Sequence, residues 1–189
     1  MPGMDRRSLA AAVYERSHLQ GTFLLRSGQT SHEYFDKYRF EADPRLLREL
    51  SEALAELVPS ETEVLAGLEL GGVPLAVGLS QVTGLPCAFV RKVAKPYGTR
   101  QVAEGASVAG RNVLVVEDVV TSGGQVVASS EELRRLGATV GHALCVIDRQ
   151  AGGPEALAEI GVALQPLFTM TELKSAAARG QGGDTSALR

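Results

Sequence analysis

The chain has 189 residues, 44% hydrophobic and 22% charged, which fits one globular domain with a sizeable core and argues against disorder. Nineteen Lys and Arg against 22 Asp and Glu leave a formal charge of −3, so no basic excess suggests a nucleic-acid or membrane-surface partner. Two cysteines without CxxC spacing, no signal-like start and no apolar run near ~18 residues exclude a disulfide framework, secretion and membrane spanning as leading readings, and leave a cytoplasmic α/β enzyme as the expectation.

The first expected element is a helix over 6–19, with Leu9, Val13 and Tyr14 as a partial apolar stripe closed by Gly21. A short strand over 22–25 ends at Ser27 and Gly28. A second strand is expected over 34–40, where aromatic and charged residues alternate. Pro44 opens a helix over 45–57 whose Leu46, Leu47, Leu50, Leu54 and Leu57 share one face. From Val64 onward short apolar runs alternate with helical stretches: strands at 64–66, 87–90, 112–116, 143–147 and 162–168, helices at 72–82, 124–136 and 154–160. That alternation predicts an α/β fold with an open, mostly parallel sheet covered by helices on both faces. The tail, 176–189, is rich in Gly and Ala and is expected to fray. One domain over 1–189 is the economical reading, with 1–43 as an N-terminal appendage.

The most informative stretch is 113–125, VLVVEDVVTSGGQ. Four apolar residues make a buried strand, and Glu117 and Asp118 stand at its carboxyl end, the edge where open α/β sheets bind ligands. Hydroxyls and glycines at 121–124 then lead into a helix. Outward backbone N–H groups and the helix dipole make such a turn an anion cradle. Acids for sugar hydroxyls beside a phosphate cradle suit a ribose 5-phosphate. No Gly-Lys-Ser/Thr and no GxGxxG follows, so this is neither a Walker loop nor a dinucleotide loop.

VLVVEDVVTSGG resembles the phosphoribosyl-pyrophosphate (PRPP) signature of the type I phosphoribosyltransferases. The resemblance implies that fold with a small N-terminal hood over 1–43. It also implies that Glu117 and Asp118 hold the ribose hydroxyls, and that Val119, Val120, Thr121, Ser122, Gly123, Gly124 and Gln125 form the 5-phosphate loop. The basic stretch 91–105, RKVAKPYGTRQVAEG, resembles the catalytic loop of the orotate branch through Arg91, Lys92, Lys95 and Gly98. Tyr97 stands where that branch commonly has histidine. It can donate a hydrogen bond to pyrophosphate but carries no positive charge at pH 7. In that family the loop crosses to the neighbouring subunit, which implies a homodimer with shared sites.

Three further segments carry the resemblance. Glu69, Leu70, Gly71 and Gly72 match the pyrophosphate loop; some relatives have a lysine there, so in this chain the loop is expected to act mainly through its backbone. Arg26, Tyr34 and Phe35 match the hood that encloses the base, the aromatic pair being equally readable as hood core. Arg149, in Asp148-Arg149-Gln150, matches an orotate-contacting arginine, its fork suited to a planar carboxylate, with Thr121 as the second orotate contact. His18, His32 and His142 sit in no motif, and Cys87 and Cys145 read as buried small hydrophobes.

The implied activity is transfer of 5-phosphoribosyl from PRPP to orotate, giving orotidine 5′-monophosphate and pyrophosphate through an oxocarbenium-like transition state. Lys92 and Lys95 would stabilise the leaving group and Asp118 would orient the ribose. Mg2+ is expected to ride on PRPP, so no dedicated metal-ligand set is predicted. Two alternatives stay open. A purine phosphoribosyltransferase would share 113–125 without a carboxylate-reading Arg149, and a PRPP-binding regulator would keep the cradle without catalysis.

Overall fold

The computed structural model describes residues 3–24, 28–92 and 102–181. Helix α1 (Arg6–Ser17) starts at Asp5, whose carboxylate accepts from the Arg7 and Ser8 amides. Strands β1 (His18–Leu24) and β2 (Thr30–Phe35) pair antiparallel as a separate ribbon. A single turn, α2 (Tyr38–Glu41), leads to α3 (Pro44–Ala55), which combines an Asp43 cap with Pro44 in its first turn. Then come β3 (Val64–Leu68), α4 (Gly72–Thr83), β4 (Cys87–Val90), β5 (Ala103–Gly105), β6 (Asn112–Val120), α5 (Gly124–Arg135), β7 (Thr139–Asp148), α6 (Gly153–Glu159), β8 (Ala163–Thr169) and α7 (Met170–Gln181).

The second sheet runs β5-β4-β3-β6-β7-β8, parallel except where β5 pairs antiparallel with β4. Its strands feed two cores, one on each face, as a period of two requires. Leu65, Leu114, Val116, Leu144 and Val146 join Leu9, Val13, Phe40, Leu50, Leu54, Leu75 and Leu173 on one side. Val64, Ala66, Val113, Val115, Ala143 and Cys145 join Val126, Leu133 and Leu157 on the other. The expected α/β fold, with its mostly parallel sheet between helices, is the one observed.

Several elements differ from the sequence expectation. Helix α1 ends at Ser17 and β1 starts at His18, so Gly21 lies within a strand rather than closing the helix, and β7 begins at Thr139, before the expected 143–147 run. The expected 34–40 strand is β2 ending at Phe35 followed by α2. Asp36 Oδ1 accepts from the Tyr38 amide at 3.2 Å, an Asx-type turn that breaks the strand, and the turn carries Phe40 to full burial. Strand β5 was not expected, because three residues carry no readable period; it closes the edge through bonds such as Ala106 N to Cys87 O, 2.8 Å. Strand β6 continues through Val120, so Glu117 and Asp118 lie inside it rather than after it. The segment from Ala176, expected to fray, continues as helix to Gln181, with Ala176 and Ala177 buried. Alanine is the best helix former, and its small side chain allows close helix approach.

One glycine fixes how α4 meets the sheet. A Cβ on Gly72 would stand 2.2 Å from the Val116 carbonyl oxygen, a backbone atom that cannot swing aside. Gly72→Ala is expected to destabilise the protein by about 1–3 kcal/mol, the range for overpacking a tight contact. Urea unfolding checks it, and an unchanged midpoint would show that α4 is free to shift outward.

Candidate active site

Strand β6 lies between β3 and β7, and the turns that follow β3 and β6 both open helices at the carboxyl edge of the sheet. Neither helix has a side-chain cap or an acid in its first turn: α4 begins after Gly71, and α5 after Gly123, which adopts φ 81°. Apart from the Val73 amide, which donates to Leu70 O at 3.2 Å, their first amides have no side-chain cap and can face an external acceptor, with the positive end of each dipole behind them. α5 also ends on Arg134 and Arg135, which complement its carboxyl terminus. Two anion cradles thus stand at the ends of adjacent strands.

Between them is the acid pair, split by strand alternation. Glu117 follows the Val113/Val115 side and lines a cavity of about 160 Å³ with Val119, Val120, Thr121, Ser122, Gly123, Gly124 and Gln125. The structure thus brings the whole expected phosphate loop together with one acid. Asp118 turns the other way, onto Lys37, Glu41 and Gly71. Lys37 Nζ lies 3.0 Å from Asp118 Oδ1 and 2.7 Å from Oδ2. The Val119 amide also donates to Oδ1, at 2.6 Å. A Cβ on Gly71 would stand 1.8 Å from Asp118 Oδ2 and 2.7 Å from Glu41 Oε1, so glycine is what lets the 69–72 turn lie on these carboxyls.

The cluster stays buried because only part of it is charged. Burial, reinforced by Asp118, pushes the Glu41 carboxyl from 4.5 up to about 9, and Glu117 rises to about 9 for the same two reasons. Burial works against the Asp118 anion as well. Hydrogen bonding with Glu41, Glu117 and Lys37 outweighs it, and holds Asp118 below the usual carboxylate range. Lys37 likewise loses hydration on burial, yet its contact with Asp118 raises its ammonium above the ordinary lysine value. Near neutrality the group holds one anion, one cation and two protonated carboxyls.

The 69–72 turn is tied to the root of the basic segment. The Lys92 amide donates to Glu69 Oε1 at 2.5 Å, and the Glu69 amide to Val90 O at 2.8 Å. The Glu69 side chain thus ties the turn to the start of the basic segment; Leu70 is exposed. The Arg91 amide donates to Val102 O at 2.8 Å, and its guanidinium Nε is buried with no partner among the described residues. Lys95, Tyr97 and Arg26 lie outside the described residues.

On the other side of β6, Val120 pairs in register with Asp148, and the Arg149 amide donates to Val120 O at 2.9 Å. Arg149 is thereby set beside Thr121, with both side chains exposed. Gln150 holds φ 59° and accepts from the Thr171 hydroxyl at 2.6 Å. The hood aromatics part company. Phe35 packs toward the core with its ring 6.2 Å from Tyr14, whereas Tyr34 is 45% exposed with its ring 5.5 Å from Phe23.

Lys37 and Glu41 were not among the sequence-predicted site residues. Their link to Asp118 spans about eighty positions, and no local motif encodes it. The expected strand over 34–40 took in Lys37 only as one of its alternating charges and stopped before Glu41. Among the described residues no three His, Cys, Asp or Glu converge as a metal-binding set. Glu117 beside the cradle keeps its proton near neutrality, so the lining fits a magnesium ion held by ligand oxygens rather than by this carboxyl.

Residues 39–162 match the family model described as the phosphoribosyl transferase domain. The chain is 48% identical over 173 residues to the orotate phosphoribosyltransferase of a Nocardioides species, covering 92% of this chain and 97% of that one. It is 46% identical over 156 residues to the orotate phosphoribosyltransferase of Halobacterium salinarum, covering 82% and 89%. Among solved structures, the orotate phosphoribosyltransferase of Mycobacterium tuberculosis in complex with PRPP superposes with TM-score 0.79 at 28% identity, over 90% of this chain and 99% of that one.

The protonated Glu41 makes a testable demand. A carboxyl raised from 4.5 to about 9 keeps in the folded state a proton that the unfolded state loses in that window. Its stabilisation is therefore full below pH 4.5 and declines as pH rises towards 9. Glu41→Gln removes that slope, and its amide N–H can still donate to Asp118. The melting temperature of the variant relative to the parent is expected to climb by at least about 2 °C between pH 5 and pH 8. A difference that stays flat across that range would mean Glu41 is ionised.

Proposed function

The chain belongs to the orotate phosphoribosyltransferase family, and from that membership we infer how its own residues divide the work of moving 5-phosphoribosyl from PRPP to orotate, with release of orotidine 5′-monophosphate and pyrophosphate. The observation that carries this division is the pair of uncapped helix starts on adjacent strands with acids between them. PRPP is a sugar with a phosphate at one end and a pyrophosphate at the other, so each anion meets one cradle while the ribose spans the end of β6.

On this reading the 121–125 turn holds the 5-phosphate through backbone amides and the Thr121 and Ser122 hydroxyls. Glu117 meets the ribose hydroxyls; being protonated, it can donate as well as accept. Asp118 serves the ribose from the side of the 69–72 turn. The amides of Gly71 and Gly72 face the pyrophosphate. Arg149 takes the orotate carboxylate through its fork, with Thr121 beside it, and Tyr34 and Arg26 close over the base. Phe35 backs Tyr34 from within the hood.

As the bond to pyrophosphate lengthens, positive charge grows at the anomeric carbon and negative charge on the leaving group. The residues then act by fixed electrostatics and by aiming the orotate nitrogen; no side chain forms a covalent bond to the sugar. Arg91, Lys92, Lys95 and Tyr97 supply the groups that cover pyrophosphate. Magnesium carried by PRPP would neutralise its oxygens. The chain acts as one catalytic domain in a cytoplasmic homodimer whose basic segment reaches the partner's site, with no nucleic-acid or membrane partner.

Two measurements test this. Purified protein with PRPP, magnesium and orotate should lower the orotate absorbance, and excess EDTA should stop the loss; uracil, hypoxanthine and adenine should not replace orotate. Turnover of a purine would remove Arg149 from its role, and silence with every base in protein that binds PRPP would favour a regulator. Arg149→Ala should raise the KM for orotate about 10–100-fold, the worth of a charge-assisted contact, with little change in the KM for PRPP. Equal effects on both would place Arg149 elsewhere.

A further inference from the structure

Lys37 is the residue of the acid cluster with no part yet in the reaction. Its side chain is about one-third exposed, whereas that of Asp118 beneath it is fully buried. The ammonium is thus anchored on its inner side and open on its outer side. An ammonium has three N–H donors. Asp118 Oδ1 accepts one at 3.0 Å, Oδ2 completes the ion pair at 2.7 Å, and the Tyr38 ring flanks the same nitrogen at 5.3 Å. Asp118 does not use all three, so N–H capacity is left on the exposed side.

Where that donor stands follows from Asp118. Lys37 Nζ lies 2.7 Å from Asp118 Oδ2, and the same oxygen lies 1.8 Å from where a Gly71 Cβ would be. The cation is therefore beside the 69–72 turn, whose own residues, Glu69, Leu70, Gly71 and Gly72, include no cation. A turn that receives pyrophosphate on backbone amides alone lacks the charge complementarity that a strongly anionic leaving group needs. The N-terminal segment delivers one from about thirty positions upstream. Its lateral freedom is removed by the two-point contact with Asp118, so little side-chain entropy is left to lose on binding.

Resting on the phosphoribosyl-transfer reading above, we propose that Lys37 is a pyrophosphate-binding residue: held by Asp118 beside the 69–72 turn, it directs its remaining N–H at the leaving group of PRPP. Asp118 then has two duties, one toward the ribose and one as the anchor of this lysine.

The test is calorimetric binding of magnesium pyrophosphate and, separately, of ribose 5-phosphate, to the full chain and to Lys37→Arg, Lys37→Met and the double variant Lys37→Met with Asp118→Asn. Lys37→Met should weaken magnesium pyrophosphate at least about tenfold, the scale of one charge-assisted hydrogen bond, while ribose 5-phosphate stays within about twofold. Lys37→Arg should recover much of the loss. In turnover, the KM for PRPP should rise with the KM for orotate nearly unchanged. Lys37→Met leaves a buried anion without its partner and can unfold for that reason. The double variant removes that charge and should fold while still binding magnesium pyrophosphate poorly.

Unchanged pyrophosphate affinity in either folded variant overturns the proposal, and confines Lys37 to neutralising Asp118. Equal weakening of pyrophosphate and ribose 5-phosphate by Lys37→Met alone overturns it too, since that is the mark of a merely structural role. Failure of the parent protein to consume orotate while it binds magnesium pyrophosphate would strike the reading of the reaction instead. The lysine would still be judged by the binding comparison alone.

Discussion

Side chains leave a β-strand in alternate directions, and that constraint on β6 organises everything around it. Two adjacent acids at the end of a strand cannot face the same way. Glu117 is committed to the α5 side with the 121–125 turn, and Asp118 to the α4 side with the 69–72 turn. A ligand that engages both must straddle the strand end. The two helix starts that flank it then fall on opposite sides of the straddling group. A molecule with anions at both ends and hydroxyls in the middle is the shape this arrangement accepts.

Burying acids there creates a charge problem that the cluster solves with protons. Three carboxyls in contact, with Glu41 7% and Glu117 6% exposed and Asp118 fully buried, cannot all ionise without a large desolvation and repulsion cost. Glu41 and Glu117 stay protonated near neutrality, and Asp118 keeps its charge because Lys37 is there to share it. The site therefore presents no net negative charge to an arriving polyanion, although the sequence places two acids at its centre. Read as formal charges, Glu117 and Asp118 would repel PRPP; with Glu117 protonated and Asp118 paired to Lys37, they are hydrogen-bonding groups.

What local pattern could reveal of this fold and site, it did. The buried strand before Glu117, the Gly-rich turn at 121–124 and the Asp148-Arg149-Gln150 turn are each encoded by a few neighbouring residues, and the structure sets them side by side as the parallel sheet requires. The missed features share a different cause. Strand β5 is too short for its period to register, and α2 was hidden because aromatic and charged residues at 34–40 suit a strand or a turn equally well. The contacts of Lys37 and Glu41 with Asp118 arise only when the N-terminal segment folds over the sheet edge. No spacing within the sequence announces a partner some eighty residues away.

The two halves of the site are held by different forces, and this shapes how each responds to its surroundings. On the 121–125 side the fastening is backbone and packing. The Arg149 amide bonds Val120 O, and Gly123 and Gly153 are packed so closely that an added Cβ would meet Leu157 at 2.7 Å or Val120 at 2.5 Å. Such contacts do not titrate and are insensitive to salt, so the 5-phosphate cradle and the base-facing arginine keep their spacing across conditions. On the 69–72 side the fastening is ionisable: Lys37 on Asp118, protonated Glu41 beside both, and the Glu69 carboxylate on the Lys92 amide. Glu117, on the 121–125 side, is raised to the same range as Glu41, so raising the pH towards 9 sets a new anion against Asp118 from both sides. The halves differ in anchoring instead: the 69–72 side depends on the Lys37–Asp118 ion pair, and the 121–125 side keeps its backbone and packing contacts as the reference.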